Sequence, residues 1–533
     1  MKFNYFEHKY PSRRNVMFAK NGMVSTTQPL AAEAGLGILK KGGNAVDAAI
    51  ATAASLTVLE PTSNGLGGDG FAIIWYEDEL YGLNASGWAP SNISIDKVKN
   101  LGYNTIPKYG FIPVTIPGML YGWREMSNRF GKLPFEDLLL PAIHYAREGY
   151  PVSPTVSYNW NKAFKLYKKQ LKGREFDEWF KTFSIEGRAP KPGEIWSSKE
   201  LSYTLEELAK SKCLSFYEGD IADKIDKFSR EYGGFITKKD LKTYRPEWVR
   251  PISVNYRGYD IWELPPNTHG MVVLLALNIL KNFDINIDSL QSYHYMIEAM
   301  KLAYADGLYY ITDTREMGDN LKYLLDDNYA LSRSKLIGNK AILPKYSALN
   351  NGGTVYLATG DKYGNMVSYI QSNFMGFGSG LVVPKTGISL HNRGYTFSLN
   401  DKDYNRLAPN KKTYHTIIPG FITKEGKALG PFGVMGAYMQ PQGHLQSIVN
   451  MIDFNLNPQE ALDKYRWQWI KEKEVLVEED FPKHIADFLI KKGHNIRYSK
   501  DIGSFGRGQI ILRDAKTYIG GTEKRADGHI AVW

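Results

Sequence analysis

The sequence predicts an α+β fold. Three observations carry this: helical runs follow one another without alternating strands between residues 29 and 59 and again between about 155 and 250, and strands crowd the chain beyond Thr354. The 533 residues, 43% hydrophobic and 23% charged, suffice for a large core in two or three domains or one large layered domain.

Residues 1–22 read as an irregular arm closed by Asn21-Gly22, and 23–27 as a short strand. Pro29 suits the first turn of a helix reaching Lys41, with Leu30, Ala34 and Ile38 on one stripe. Gly42-Gly43 stops it, and Asn44 caps a second helix running to Leu59. Apart from Asp47 that helix is almost wholly apolar and must be buried on most sides. The loop 60–70 carries Gly65, Gly67, Gly68 and Gly70, which permit positive φ and close backbone approach. It lacks the Lys-Ser/Thr of a phosphate loop, and a strand, 71–76, follows where such a loop would open a helix.

Residues 80–86 form another strand, and 119–130 and 138–148 are helices. Residues 155–250 are polar, lysine-rich and largely helical, an outer layer or subdomain with no legible chemistry. Two strands turn at Arg257-Gly258, helices follow at 271–280 and 293–311, and 320–350 is loop-rich, suited to a linker or an exposed cut site. A hairpin comes next, 354–361 and 366–373, turning through Asp361-Lys362-Tyr363-Gly364-Asn365. Residues 387–394 read as strand and turn, 414–422 as a strand, 429–437 as a strand ending in small residues, and 442–454 and 458–465 as helices.

The formal charge is +10, but the basic residues are scattered. The densest cluster, Lys162 to Lys172, is followed by Glu175, Asp177 and Glu178 and reads as a solvated helix face, so no nucleic-acid partner is expected. A single cysteine, Cys213, excludes an intrachain disulfide and reads as a packed small residue. The N-terminus has no apolar stretch of signal-peptide length and no run of about 18 apolar residues exists, so a cytoplasmic protein without membrane contact is expected.

Gly352-Gly353-Thr354 opens the hairpin. A cut before Thr354 would leave a hydroxyl and a free α-amine on one residue, and such an amine, with a reference pKa of roughly 7.7 to 8.0, is a built-in general base. By itself the tripeptide reads first as the start of an ordinary strand, and the rest of the chain is what shifts that reading.

Several further segments, in order, resemble the γ-glutamyltranspeptidase family of N-terminal-nucleophile hydrolases: Gln28 to Leu36, Lys41-Gly-Gly-Asn-Ala-Val-Asp-Ala-Ala49, Glu60-Pro61 with Gly65-Leu-Gly-Gly68, Pro117-Gly118, Glu298 to Asp306, the Thr354 hairpin and Arg525-Ala-Asp-Gly528. The resemblance implies a four-layer αββα sandwich. It implies self-cleavage between Gly353 and Thr354, giving a large segment 1–353 (with the helical layer at about 155–250) and a small segment 354–533 that stay associated in one composite domain; a dimer of such heterodimers is compatible with it. It makes Thr354 the nucleophile, Ser372 the hydroxyl that orients it, and the backbone N–H groups around Gly436 and Ala437 the oxyanion donors. No cofactor is implied. His269 and His444 show no ligand spacing, so no metal is expected.

The chain departs from the family in the acyl pocket. Phe374 stands where an asparagine is usual, and Asn373, one position early, faces the other side of a strand. Ser86 replaces an arginine that holds the glutamyl α-carboxylate; Arg393 and Thr396 replace groups that hold the α-amine; His415 and Thr416 replace paired serines. The segment 397–411 is short, so the lid is cut back and water is admitted. Arg393 repels an α-ammonium and attracts a carboxylate, which favours glutaryl-like acyl groups; a structural ion pair is the other reading of Arg393. His415 reads as a pocket-wall or hydrogen-bonding residue. Three readings follow: a self-processing γ-glutamyl hydrolase or transferase acting on compounds such as glutathione, an acylase on non-glutamyl amides with the same nucleophile, and an uncleaved, non-catalytic homologue.

Overall fold

The computed structural model describes residues 14–343 and 353–533. Two antiparallel sheets of seven strands stack face to face. The first runs His529–Val532, Gly22–Thr26, Gly353–Asp361, Met366–Phe374, Asp69–Tyr76, Glu79–Ala85, Glu247–Val249. The second runs Met17–Ala19, Thr517–Thr522, Arg507–Asp514, Lys427–Met435, Gly420–Lys424, Tyr259–Glu263, Ile252–Tyr256.

Side-chain alternation makes the layers. Phe71, Ile73, Tyr356 and Ile370 point into the gap between sheets and meet Ile417, Phe421 and Ile511 of the second sheet and its lead-in. Their neighbours Ala72, Ile74, Val355 and Val367 point outward against the helices Ala45–Leu59, Met119–Phe130 and Phe135–Glu148. Beyond the second sheet, Ile422, Phe432 and Ile510 pack on Gly270–Leu280, Leu290–Tyr310 and Gln440–Ile452. The result is the expected αββα sandwich. Asn44 caps its helix with a reciprocal capping box to Asp47, and Cys213 is a buried free thiol. The 155–250 region is helical as expected; Trp160, Trp179 and Leu205 join the core outside the first sheet.

Some expectations are corrected. The loop-rich reading of 320–350 misses two short helices, Asn320–Leu324 and Asp327–Ser334, the second capped by Asp326; residues 344–352 lie outside the described residues. The strand expected over 414–422 joins the sheet only at Gly420–Lys424, because the chain before it is drawn off into a single bridge between His415 and Thr268. The strand in 387–394 shrinks to Ile388–Ser389. Among the described residues no helix is long and apolar enough to cross a membrane.

Candidate active site

The hairpin predicted from Gly-Gly-Thr pairs as expected, with one register shift between Gly353 and Val355. That irregularity sits at the end of the inter-sheet gap and brings three groups together. The Thr354 hydroxyl, 1% exposed, lies 2.7 Å from the carbonyl oxygen of Gly353 and 3.2 Å from Ser372 Oγ. Ser372 Oγ donates to the same carbonyl at 2.7 Å and accepts the Phe374 N–H at 2.7 Å. Gly353 is needed for space: a Cβ there would meet the Thr62 carbonyl at 3.1 Å and Ser63 Cα at 3.2 Å. Gln440, the first residue of its helix, reaches Thr354 Oγ1 with Nε2 at 3.4 Å, while its Oε1 accepts the Ile418 N–H at 3.0 Å. Gly436 and Ala437, at φ 135° and 48°, form the tight turn between the strand Lys427–Met435 and this helix, so they stand at the same end of the second sheet.

The glycines of loop 60–70 serve close approach rather than positive φ. A Cβ on Gly65 would lie 2.3 Å from Ser389 Oγ, and one on Gly68 2.7 Å from the Ser372 carbonyl. Glu60 anchors the loop by accepting from Thr27 at 2.5 Å, Ser63 at 3.0 Å and Arg507 at 3.1 Å.

Two pairs cross the gap near Ser372, one opposite it and one at Phe374 on the same strand. Asp69 is the Cα partner of Ser372 across the ladder, and its Oδ2 lies 3.0 Å from His415 Nε2. Its Oδ1 accepts the N–H groups of Gly87 at 3.2 Å and Gly118 at 3.1 Å. Two residues along the strand from Ser372, the Arg393 guanidinium lies 4.1 Å over the Phe374 ring and donates to Thr416 Oγ1 at 2.6 Å. Among the described residues Arg393 Nε and Nη2 and His415 Nδ1 have no hydrogen-bond partner, although both residues are only 1% exposed. Among the described residues no carboxylate is within salt-bridge distance of Arg393, so the ion-pair reading finds no partner.

Burial alone would raise the Asp69 carboxyl; the neighbouring histidines 391 and 415 and Arg393 carry it below the usual range. Burial, then the Arg393 charge, pushes His415 down to about 3, so its imidazole is neutral. Burial pulls the Arg393 guanidinium down to about 9, which leaves it charged at neutral pH.

Three residues expected in the pocket have hydrogen-bond partners elsewhere. Asn373 faces away from Thr354, and its Nδ2 donates to Ser389 Oγ at 2.8 Å, as the one-residue offset requires. Ser86 Oγ donates to Asn84 Oδ1 at 2.7 Å and sits by Asn267, touching the site only through its neighbour Gly87. Thr396 Oγ1 bonds Thr413 Oγ1 at 2.8 Å and the Tyr414 carbonyl at 3.0 Å.

Sequence reading misses Asp69 and Gln440. Asp69 lies in a glycine run that reads as conformational, and its partner is 346 positions away in the chain. Gln440 opens a helix that reads as starting two residues later. Away from the site, His294, Glu298 and His494 place potential ligand atoms within 4.8 Å of one another. There the Lys301 ammonium, 2.7 Å from Glu298 Oε1, already supplies the positive charge, and His294 Nε2 is spent on the Gly338 carbonyl at 2.9 Å.

The chain as a whole is similar to known proteins. The model of the family described as Gamma-glutamyltranspeptidase matches residues 31–533. The "Glutathione hydrolase-like YwrD proenzyme" of Bacillus subtilis is 36% identical over 95% of this chain and 97% of its own. The "Oxamate amidohydrolase proenzyme" of Klebsiella pneumoniae is 31% identical over 96% and 98%. A crystal structure of cephalosporin acylase from Bacillus halodurans, 53% identical, superposes with a TM-score of 0.97 over 100% of this chain and 99% of that one. Match, order of motifs and architecture agree along nearly the whole length, and the chain belongs to the gamma-glutamyltranspeptidase family.

Proposed function

We propose that this protein is a self-processing amidohydrolase whose nucleophile is Thr354. The observation that carries the reading is the pair of hydroxyls, Thr354 Oγ1 and Ser372 Oγ, each 2.7 Å from the Gly353 carbonyl oxygen. In the precursor, Thr354 Oγ attacks the Gly353 carbonyl carbon, and Ser372 donates to the oxygen on which negative charge develops. The C–N bond breaks, the α-amine takes a proton, and an ester links Gly353 to Thr354. Water opens the ester, leaving segments 1–353 and 354–533. In the mature form the new amine accepts the Thr354 hydroxyl proton as Oγ attacks a substrate amide. That proton goes to the departing amine, and water hydrolyses the acyl-enzyme. The Gly436 and Ala437 N–H groups serve as oxyanion donors in this scheme.

The acyl group favoured is one ending in a carboxylate, because Arg393 keeps two nitrogens without partners. That reading sets glutaryl-like amides above γ-glutamyl ones such as glutathione. It is supported by the acylase and oxamate amidohydrolase names among the relatives. Water is favoured as acceptor, since the shortened segment 397–411 folds down through Phe397, Leu399 and Leu407 onto Ala89, Ile93 and Val98.

A denaturing gel with N-terminal sequencing tests the maturation. The wild type gives two bands, the smaller beginning at Thr354; Thr354→Ala gives one band and no amide hydrolysis. Ser372→Ala slows processing by about 10²–10³, the worth of one oxyanion donor, and Ser372→Thr restores it. A single uncleaved chain that still hydrolyses amides would exclude this chemistry.

A further inference from the structure

Two buried groups beside Thr354 hold complementary unmet demands. His415 Nε2 faces an ionised carboxylate, Asp69 Oδ2, at 3.0 Å. A carboxylate only accepts, so Nε2 carries the proton, and in a neutral imidazole the other nitrogen is then a bare lone pair. His415 Nδ1 is that lone pair, buried and without a donor. Arg393 can only donate, and its Nε and Nη2 are buried without acceptors. Unmet polar groups of this kind are costly in the free protein, and a ligand that carries an acceptor for Arg393 and a donor for His415 would meet both. Both lie on the Ser372 side of the inter-sheet gap: Asp69 is directly opposite Ser372, and Phe374, under the guanidinium, is two residues further along the same strand. Thr416, which accepts the Arg393 Nη1 bond at 2.6 Å, follows His415 in the chain, and the Arg393 charge is near enough to depress the His415 imidazole.

We propose that the pocket selects acyl groups whose far end carries a carboxylate and, next to it, an uncharged hydrogen-bond donor, a hydroxyl or an acylated N–H. The carboxylate meets Arg393 and the donor meets His415 Nδ1; Asp69 is the positioning residue that fixes the imidazole tautomer. A free ammonium is the wrong donor. It would sit beside a guanidinium with no counter-ion in contact, while both oxygens of Asp69 are occupied by Gly87, Gly118 and His415. The inference rests on the Thr354 amidase reading and adds a substrate class to it.

Four p-nitroanilides test it on the processed wild-type enzyme: glutaryl, glutaryl with a hydroxyl on the carbon bearing the free carboxylate, the methyl ether of that hydroxyl, and γ-glutamyl. The hydroxyl compound should exceed the glutaryl one in kcat/KM by about tenfold, the worth of one buried hydrogen bond. The ether, which cannot donate, should gain nothing, and γ-glutamyl should fall below the hydroxyl compound. In Asp69→Asn the amide can donate to Nε2, so Nδ1 can carry the proton, and the ether and hydroxyl compounds should converge. His415→Phe should erase the hydroxyl advantage, so that the hydroxyl, ether and plain glutaryl compounds give equal kcat/KM in that variant. Equal rates for the hydroxyl, ether and plain acids in the wild type, or a γ-glutamyl compound cut as fast as the hydroxyl one, overturn this inference alone. Failure to cut any of the four overturns the Thr354 chemistry and this inference with it.

Discussion

Arg393 and Arg525 are 1% and 2% exposed, and their surroundings could hardly differ more. Arg525 grips Glu478 with Nε at 2.5 Å and Nη2 at 2.6 Å, Glu523 with Nη1 at 2.6 Å, and the Leu462 and Lys464 carbonyls at 2.8 and 3.0 Å. Arg393 makes one hydrogen bond, to a threonine, and leans on an aromatic ring. Burial disfavours both charges, but Glu523 and Glu478 raise the Arg525 pKa, whereas the Asp69 charge only softens the depression at Arg393. Both arginines were visible in the sequence, one within a family motif and one as a departure from it. A buried cation with every nitrogen engaged ties segments of a fold together; one with two nitrogens unpartnered among the described residues is what the proposed carboxylate recognition calls for.

That contrast can be broken by experiment. Arg525→Met strands Glu478 and Glu523 in the interior, and removing one partner of a buried pair costs about 3–5 kcal/mol. Urea unfolding should show a loss of that size, with substrate preference unchanged in whatever enzyme survives. Arg393→Met removes an unpaired buried charge and puts a flexible apolar chain against Phe374, so stability should change by less than about 1 kcal/mol, in either direction. Hydrolysis of a carboxylate-ended anilide by this variant should fall about a hundredfold, matching a lost contact of about 2.7 kcal/mol. If Arg393→Met unfolds the protein as readily as Arg525→Met, Arg393 is a structural residue and the pocket reading fails.

How far the sequence reveals these two regions follows from the range of the interactions. The Thr354–Ser372 pair is legible only through the family resemblance, whereas the hairpin and the capped helix after Asn44 are legible because turn residues, caps and strand alternation act over a few positions. The Asn373 offset is legible for the same reason, since a one-residue shift in a strand reverses its face. Asp69–His415 is not legible, because nothing local shows that a glycine-rich loop and a strand-like segment 346 positions away will face each other across two sheets. The same contact explains why the strand expected from 414 begins only at Gly420: its first half is held by Asp69, Asn267 and His269 instead of by the sheet. Ser86 is misread for the opposite reason. Its position in the motif is right, but its hydroxyl is consumed by Asn84 beside it.

The smallest effect separates the two clusters by pH. Glu523 has a folded-state value of about 2 against an ordinary 4.5; burial opposes this, and Arg466 and Arg525 produce it. A depressed carboxyl contributes stability that is complete above 4.5 and is lost as pH falls toward 2. His415 is also depressed, to about 3 from 6.5, because burial and then Arg393 disfavour its charged form. Between those values the unfolded chain binds the extra proton, so this contribution is complete above 6.5 and drains away as pH falls from 6.5 toward 3. The pocket cluster therefore weakens first on acidification and the Arg525 cluster later. His415→Phe should flatten the loss of stability across pH 6.5 to 3, where it overlaps the start of the Glu523 loss below 4.5, and leave only the Glu523 loss below pH 3 as it is. The flattening is partial, since His444 and His494, also held near 3 by burial, titrate over the same range. Unfolding midpoints of wild type and His415→Phe, taken at half-unit intervals from pH 7 to pH 3, would show it; parallel curves throughout would mean that His415 is no less protonated in the folded protein than in the unfolded chain, and the lone pair assigned to Nδ1 would go with it.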